Sequence, residues 1–494
     1  MTPNDARRAA RNAGALAAAS IITKGMLFAW QVVLARWLGD SNYGIYGTVG
    51  ALAVIVQVIG NFGMGLIVIR DVSQQPSRAN AYLTATVFTQ TILGGIAFLI
   101  LNAAAWIIGY DLTLRALVAL TGVGLLLDMV GNLCSDQLLA QERMVTTSVI
   151  EGVHVALRIA LVAWALASGY GLIGLYVVGW VASGARSVMM GAALYARGVR
   201  LSFPVDRSVA WLLLANSSPL ALSGVLALAY QQADKLMSTR FLDAASTGYL
   251  TAALVIVQGV IEVLNSTILI ATYPMMSRYY AERGEMFGFI VEKLALFTAI
   301  VTFPAALVLL LFAPDLTIPL FGQDFAPAAD VLRLLMVYGV AAMLVNVFAQ
   351  GMMVQNRQRR LLVYRVGGLV INLTVNGVLL ALGYGIIGLV IGSAIAESVV
   401  LALLLWTFRE NGLLMPRLLA GITRLLAVSA VTLAIMAFVG QWGAWAGIIG
   451  GAVIYLGGVL RGGILRADDW DLLYRLVSAM PGGAWFGRFL PKPA

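Results

Sequence analysis

Apolar residues run along this chain in stretches of about 20 or more, each long enough to cross ~30 Å of hydrocarbon as an α-helix. Short segments holding most of the Arg, Lys and Pro separate them. The stretches fall at roughly 13–37, 44–69, 80–108, 114–138, 146–167, 171–196, 209–232, 246–270, 288–312, 328–353, 362–382, 385–408, 418–438 and 443–460. This pattern predicts an all-α polytopic membrane protein of about fourteen transmembrane helices, the first of them interrupted by Lys24. Composition agrees: 61% of the 494 residues are hydrophobic and 11% charged, which excludes a water-soluble globule of this length.

The chain also repeats itself. Gly-Tyr-Gly-Leu-Ile-Gly-Leu at 169–175 returns as Gly-Tyr-Gly-Ile-Ile-Gly-Leu at 383–389, an offset of 214. Asn132, Gln141 and Arg143 fall on Asn346, Gln355 and Arg357 at the same offset. Earlier positions match at an offset of 204: Arg36 on Arg240, Gly44 on Gly248, Asn61 on Asn265, and Asp111-Leu112-Thr113 on Asp315-Leu316-Thr317. An insertion around Ile318 to Pro327 explains the change of offset and lengthens the outer loop before helix ten. Two copies of six helices, an even number, enter the membrane from the same side, so the repeat is parallel, with a pseudo-two-fold axis along the membrane normal. The expected organisation is a six-helix bundle over 1–196, a connector over 197–208 containing Pro204, and a second bundle over 209–408. Two additional helices over 409–460 and a tail over 461–494 complete it. In that tail Asp468-Asp469-Trp470-Asp471 precedes an apolar stripe from Leu472 to Met480, as in a short helix lying on the membrane surface.

Charge fixes the orientation. Arg and Lys collect at Arg7, Arg8 and Arg11, at Arg70 and Arg78, Arg143, Arg197 to Arg207, Arg278 to Lys293, Arg357 to Arg365, Arg409 and Arg417, and along the tail. Every second loop is therefore basic, while the alternate loops hold only Arg36, Arg115, Lys235 and Arg240. The basic set is cytoplasmic, with both termini inside, in the cytoplasmic (inner) membrane of a cell. The net charge of +9 is accounted for by topology and implies no nucleic-acid partner, although it favours anionic membrane lipids. The single cysteine, Cys134, allows no internal disulfide. The first apolar span is too long for a signal-peptide core and is expected to be retained.

Leu34-Ala35-Arg36-Trp37-Leu38-Gly39 with Tyr43-Gly44-Ile45-Tyr46, Ala233-Asp234-Lys235 with Gly248-Tyr249, and Leu320-Phe321-Gly322 with Phe325 resemble the Wzx-type polysaccharide and O-antigen flippases. These belong to the superfamily that also holds the multidrug MATE exporters and lipid II flippases. The resemblance covers essentially the whole chain. It implies a twelve-helix core around a central cavity, sometimes with two further helices. It also implies alternating access and carriage of polyprenyl-diphosphate-linked oligosaccharide to the outer leaflet, with glycosyltransferases or a glycan polymerase of the same pathway as partners.

Ionisable groups at membrane depth cost ~2.5–3.5 kcal/mol on insertion scales, so each is a functional candidate or half of a structural pair. Away from the loops these are Lys24, Asp128, Glu151, His154, Arg158, Arg186, Glu262, Arg333, Glu397 and Arg424; Arg333 and Arg424 lie near helix ends and can snorkel. Glu151, His154 and Arg158 share one face of helix five, and His154 is the only histidine. That face reads either as a wet wall with a proton-responsive centre, to which Asp128 adds a further acid for ion or proton coupling, or as a Glu and an Arg paired on one packed face. The spacing leaves open whether Arg186 joins that group or neutralises Asp128. By the resemblance, helices one, two, seven and eight face the cavity, which assigns Lys24, Gln57, Asn61, Glu262 and Asn265 to a headgroup site; Arg158 on helix five is a further candidate for that cavity. The cations suit a diphosphate or an acidic sugar, and the amides suit sugar hydroxyls. The alternative for the amides is hydrogen bonding between helices, worth ~0.6 kcal/mol per contact.

No Walker motif, no Cys or His metal spacing and no nucleophile elbow occurs, so neither a cofactor, a metal nor an enzymatic reaction is expected. A MATE-type antiporter of small cations, the alternative function, would want an acid-dominated cavity instead of one holding Lys24 and Arg158. A membrane glycosyltransferase would need large outer loops, and the longest here is the Pro-rich one around Pro314 to Pro327.

Overall fold

The computed structural model describes residues 3–264, 276–280, 284–413 and 416–464, with side chains from residue 24 onward apart from a few positions at segment ends. Of the structure, 90% is helical, and no strand occurs among the described residues. In chain order the helices are α1 (Pro3–Asn61), α2 (Met64–Gln74), α3 (Ala79–Ile107), α4 (Leu112–Ala140), α5 (Met144–Ala167), α6 (Gly171–Tyr195) and α7 (Arg207–Phe241). They continue as α8 (Ala244–Leu264), α9 (Gly284–Phe321), α10 (Ala328–Val354), α11 (Gln358–Ala381), α12 (Gly385–Glu410), α13 (Pro416–Val439) and α14 (Ala444–Arg461). Thirteen described segments are long and apolar enough to cross a membrane, and the chain is a multi-pass membrane protein. The first of them, Lys24–Gln74, is 51 residues long and contains Gly39, where φ 72° and ψ 174° break the helix. Two spans of the sequence pattern, 13–37 and 44–69, meet at that break. The tail from 465, with its expected surface helix, lies outside the described residues.

Contacts divide the chain into two compact units, Met1–Val32 with Ala252–Ala494, and Val33–Thr251. These limits fall elsewhere than the 197–208 connector marked by its charge and Pro204. In the Val33–Thr251 unit, Val49, Leu52 and Val56 of α1 pack on Leu101 of α3 and on Leu114 and Leu117 of α4. A second cluster joins Met64 and Val68 of α2 to Tyr82, Leu138, Met190 and Leu213. In the other unit, Phe287, Leu294, Val345, Phe348, Met352, Leu404, Phe408 and Tyr455 form the core. There the rings of Phe348 and Phe408 meet edge to face at 5.2 Å.

The 214 offset recurs in the backbone. The helix α5 begins and ends 214 positions before α11, and the turns before them carry Glu142 at φ 60° and Asn356 at φ 57°. The outer hairpins match as well. Gly169 and Gly171 stand at φ 78° and 57°, Gly383 and Gly385 at 82° and 55°, conformations glycine adopts without a Cβ clash. The 204 offset has a packing counterpart. A Cβ on Gly44 would lie 1.7 Å from the Ala244 carbonyl oxygen, and one on Gly248 would lie 2.1 Å from the Asp40 carbonyl oxygen. Asp40 and Ala244 are themselves 204 apart, so α1 and α8 cross at a reciprocal contact that only glycine permits. The Tyr249 hydroxyl donates to Asp40 Oδ2 at 2.8 Å beside it.

Three expectations need correction. The Pro-rich loop over 314–327 is mostly helix: α9 bends at Phe312 (φ −108°, ψ 24°) and resumes to Phe321. Pro314 then sits in a new first turn, where its missing N–H costs no hydrogen bond. Lys235 and Arg240 belong to α7 and not to an outer loop. Asn61, which the apolar pattern places inside the span 44–69, is the last residue of α1, because Phe62 (φ 52°) and Gly63 (φ 70°) break the helix there.

Candidate functional site

The break after Asn61 places an interrupted backbone within the apolar span Lys24–Gln74. Such interruptions survive at membrane depth only when packed in protein or lining a wet cavity. Here α7 supplies the packing: a Cβ on Gly63 would meet Leu220 at 3.1 Å, one residue past Pro219 in the α7 interior. The Asn61 Oδ1 is buried without a hydrogen-bond partner among the described residues, and Gln57, one turn earlier, is half-buried. Asn265 lies outside the described residues.

Lys24 and Glu262 come together as an ion pair: Lys24 Nζ lies 2.5 Å from Glu262 Oε1. The two side chains keep 39% and 54% exposure. Neither charge is enclosed by protein, so the pair is not locked into a packed core. Lys24→Met should therefore leave membrane-inserted protein near the normal level while reducing transport, and a collapse in abundance would make the pair structural.

The helix-five group is resolved in favour of Arg186. Its Nε donates to Glu151 Oε1 at 2.9 Å, its Nη2 donates to the same oxygen and to Asn132 Oδ1 at 2.9 Å, and its Nη1 reaches the Asp128 carbonyl at 3.3 Å. Glu151 thus pairs across to α6 and not along its own helix with Arg158. The His154 Nδ1 lies 3.8 Å from Glu151 Oε2, and its buried Nε2 has no partner among the described residues. Asp128 keeps Oδ1 buried and unpartnered. Asp136, which the apolar pattern passed over, stands against Gly65, whose added Cβ would meet its carboxylate at 2.4 Å, and Arg186 is the cation nearest in effect. Arg158 is exposed halfway along α5 and makes no hydrogen bond or ion pair among the described residues.

A second buried pair went unread because Arg365 counts as a loop residue in the charge pattern. It is the eighth residue of α11, and its Nη1 donates to Glu397 Oε1 at 3.0 Å on α12. Nearby Asn372 donates to Ser393 Oγ at 2.9 Å, and Asn376 to Asn372 Oδ1 at 3.3 Å. The other unit also holds an apolar groove of about 330 Å³, lined by Ile256 and Val260 of α8, Pro304 and Leu309 of α9, Met436 of α13 and Ile448 of α14, with Thr432 its one hydroxyl.

The sequence pattern of the family described as "Polysaccharide biosynthesis protein" matches residues 9–280, more than half of the chain. The chain belongs to the polysaccharide biosynthesis protein family. No curated protein sequence matches it. Among solved structures, this family member is similar to the lipid II flippase MurJ in an inward closed conformation, at a TM-score of 0.71 and 12% identity, covering 89% of this chain and 96% of that one. It is also similar to a multidrug resistance MATE transporter in its inward-facing conformation (TM-score 0.64, 13% identity, 79% and 95% covered) and to one in an outward-facing conformation (0.54, 15%, 79% and 93%). At such identities these likenesses establish the fold, which this polysaccharide biosynthesis protein shares with flippases and transporters.

Proposed function

We propose that the protein is a flippase that carries polyprenyl-diphosphate-linked oligosaccharide from the cytoplasmic to the outer leaflet by alternating access. The observation that carries this reading is Arg158, a guanidinium open at mid-helix with no acid bound to it among the described residues. An unpaired cation at membrane depth is tolerated where it meets water and an anionic ligand, and a diphosphate supplies one. Lys24 adds a second, reversible cation, with Gln57 and Asn61 as amides for sugar hydroxyls. The apolar groove supports the same reading, since a prenyl chain needs walls without polar groups. A carrier of small cations would be expected to hold acids in these places.

Coupling falls to Glu151, His154 and Asp128, where a buried imidazole and an unpartnered carboxylate oxygen can take a proton from one side and release it to the other. Both termini lie on the cytoplasmic face of the inner membrane. The halves 13–196 and 209–408 are related by a two-fold axis along the membrane normal, a reading supported by the matched turns and the reciprocal Gly44 and Gly248 contact. Glycosyltransferases or a polymerase of the same pathway are the expected partners. Cells without the protein should accumulate the lipid-linked oligosaccharide on the cytoplasmic leaflet and lose surface glycan, with resistance to small cationic drugs unchanged. Lost drug resistance with normal surface glycan would replace this reading with the MATE-type exporter.

A further inference from the structure

The hairpins α5–α6 and α11–α12 are near copies. Their first helices match residue for residue in length, and both close through a Gly-Tyr-Gly turn with the same positive-φ glycines. The turn hydrogen bonds match too: Tyr170 N donates to the Ala165 carbonyl and Tyr384 N to the Leu379 carbonyl, each at 3.0 Å. Hairpins matched in this way carry a pairing hazard, because α12 offers α5 the same helix start and turn geometry as α6 does.

The buried ion pairs of the two hairpins differ in sign. In the first hairpin the acid is on the first helix and the base on the second, Glu151 with Arg186. In the second hairpin the base is on the first helix and the acid on the second, Arg365 with Glu397. Glu151 and Arg365 are 214 positions apart, the offset of the repeat, so they occupy the same place in the two copies. Glu397 falls on Ser183 at that offset, one turn from Arg186 on the same helix face. Both second-helix charges are almost fully enclosed, with Arg186 at 8% and Glu397 at 2% exposure. An exchanged pairing would set Glu151 against Glu397 and Arg365 against Arg186. In each exchanged pair the enclosed second-helix charge, Glu397 or Arg186, would lose its counter-ion and face a like charge instead. Neutralising a buried charge works with either polarity; only the choice of partner requires the two polarities to be opposite.

We propose that the reversed polarity of Glu151–Arg186 and Arg365–Glu397 is a pairing code, which makes each first helix accept its own second helix and reject the repeat-related one, within a chain or between copies. It is independent of what the protein transports. The test is a charge-reversal series in the full-length protein, read as monodisperse monomer extracted from membranes, with the share of larger oligomers as a second readout. In E151R/R186E both hairpins carry Arg first; in R365E/E397R both carry Glu first. Each double variant retains an ion pair in both hairpins yet removes the contrast, and each should yield about threefold less monomer, with a larger oligomeric share. The quadruple variant E151R/R186E/R365E/E397R restores the contrast in mirror form and should recover most of the monomer. R365E/E397R serves beside E151R/R186E because Arg186 also holds Asn132 and the Asp128 carbonyl, contacts that the first double variant loses. Normal monomer in both doubles would show that the pairs merely neutralise each other and would overturn the proposal. So would a quadruple variant no better than the poorer double.

Discussion

Replacing Arg186 with Met should remove most of the folded protein from the membrane. The guanidinium is 8% exposed and is the only group among the described residues seen to bind Glu151 and Asn132 together. Without it Glu151 loses its cation, Asp136 loses the positive charge nearest to it, and the Asp128 carbonyl loses a donor. Breaking a buried pair by deleting one partner costs about 3–5 kcal/mol, and the low end applies because Glu151 keeps 38% exposure. A loss of that size is a large part of a domain's stability and should lower abundance several-fold. Glu151→Gln in the same chain should restore part of it, since the stranded acid is then neutral. Normal abundance of Arg186→Met would mean that water or another cation already serves these acids.

Gly248→Leu should be nearly as damaging, through packing instead of charge. The Asp40 carbonyl lies 2.1 Å from where the new Cβ must go, and that neighbour is backbone, which cannot swing aside. Overpacking of this kind typically costs about 1–3 kcal/mol and more when helices must separate. Separation would also break the Tyr249 to Asp40 hydrogen bond and the contact between the Thr48 and Thr239 hydroxyls at 2.5 Å. Gly44→Leu should match it, because the contact is reciprocal, and Ala at either place should act in the same direction but less. The controls are Gly50→Ala and Gly152→Ala, where nothing lies within 4 Å of the new Cβ and thermal stability should hardly move. Equal melting temperatures for Gly248→Leu and Gly152→Ala would show that α1 and α8 do not cross as described.

The membrane helices were legible because each needs a length of apolar residues that almost nothing else in a sequence imitates. The GYG hairpins were legible because positive φ leaves glycine as its mark. What the pattern hid has physical causes. Arg365 reads as loop because cations collect at helix ends, and only its partner Glu397, 32 residues on, shows that the charge points inward. Lys235 misleads in the same way, since α7 runs to Phe241, beyond the hydrocarbon-length stretch the hydropathy marks. Pro314 reads as loop although a kink at Phe312 turns it into a helix start. Asn61 was found as a polar position, but its place beside a break was not, because Gly63 looks like any small residue in an apolar run. For Glu151, spacing along one helix offers Arg158 as a partner and leaves Arg186 open, and the partner is Arg186 of α6, a neighbour that periodicity alone does not place.

Transport itself is tested most directly with purified protein in liposomes carrying a fluorescent polyprenyl-diphosphate oligosaccharide on one leaflet, following how much of the label becomes accessible from the other side. With the intact protein the label should equilibrate across the bilayer far faster than in protein-free vesicles, and Arg158→Gln, inserted at the same density, should slow it markedly. Well-folded protein that moves the label no faster than empty vesicles, while exchanging a small organic cation, would contradict the flippase reading.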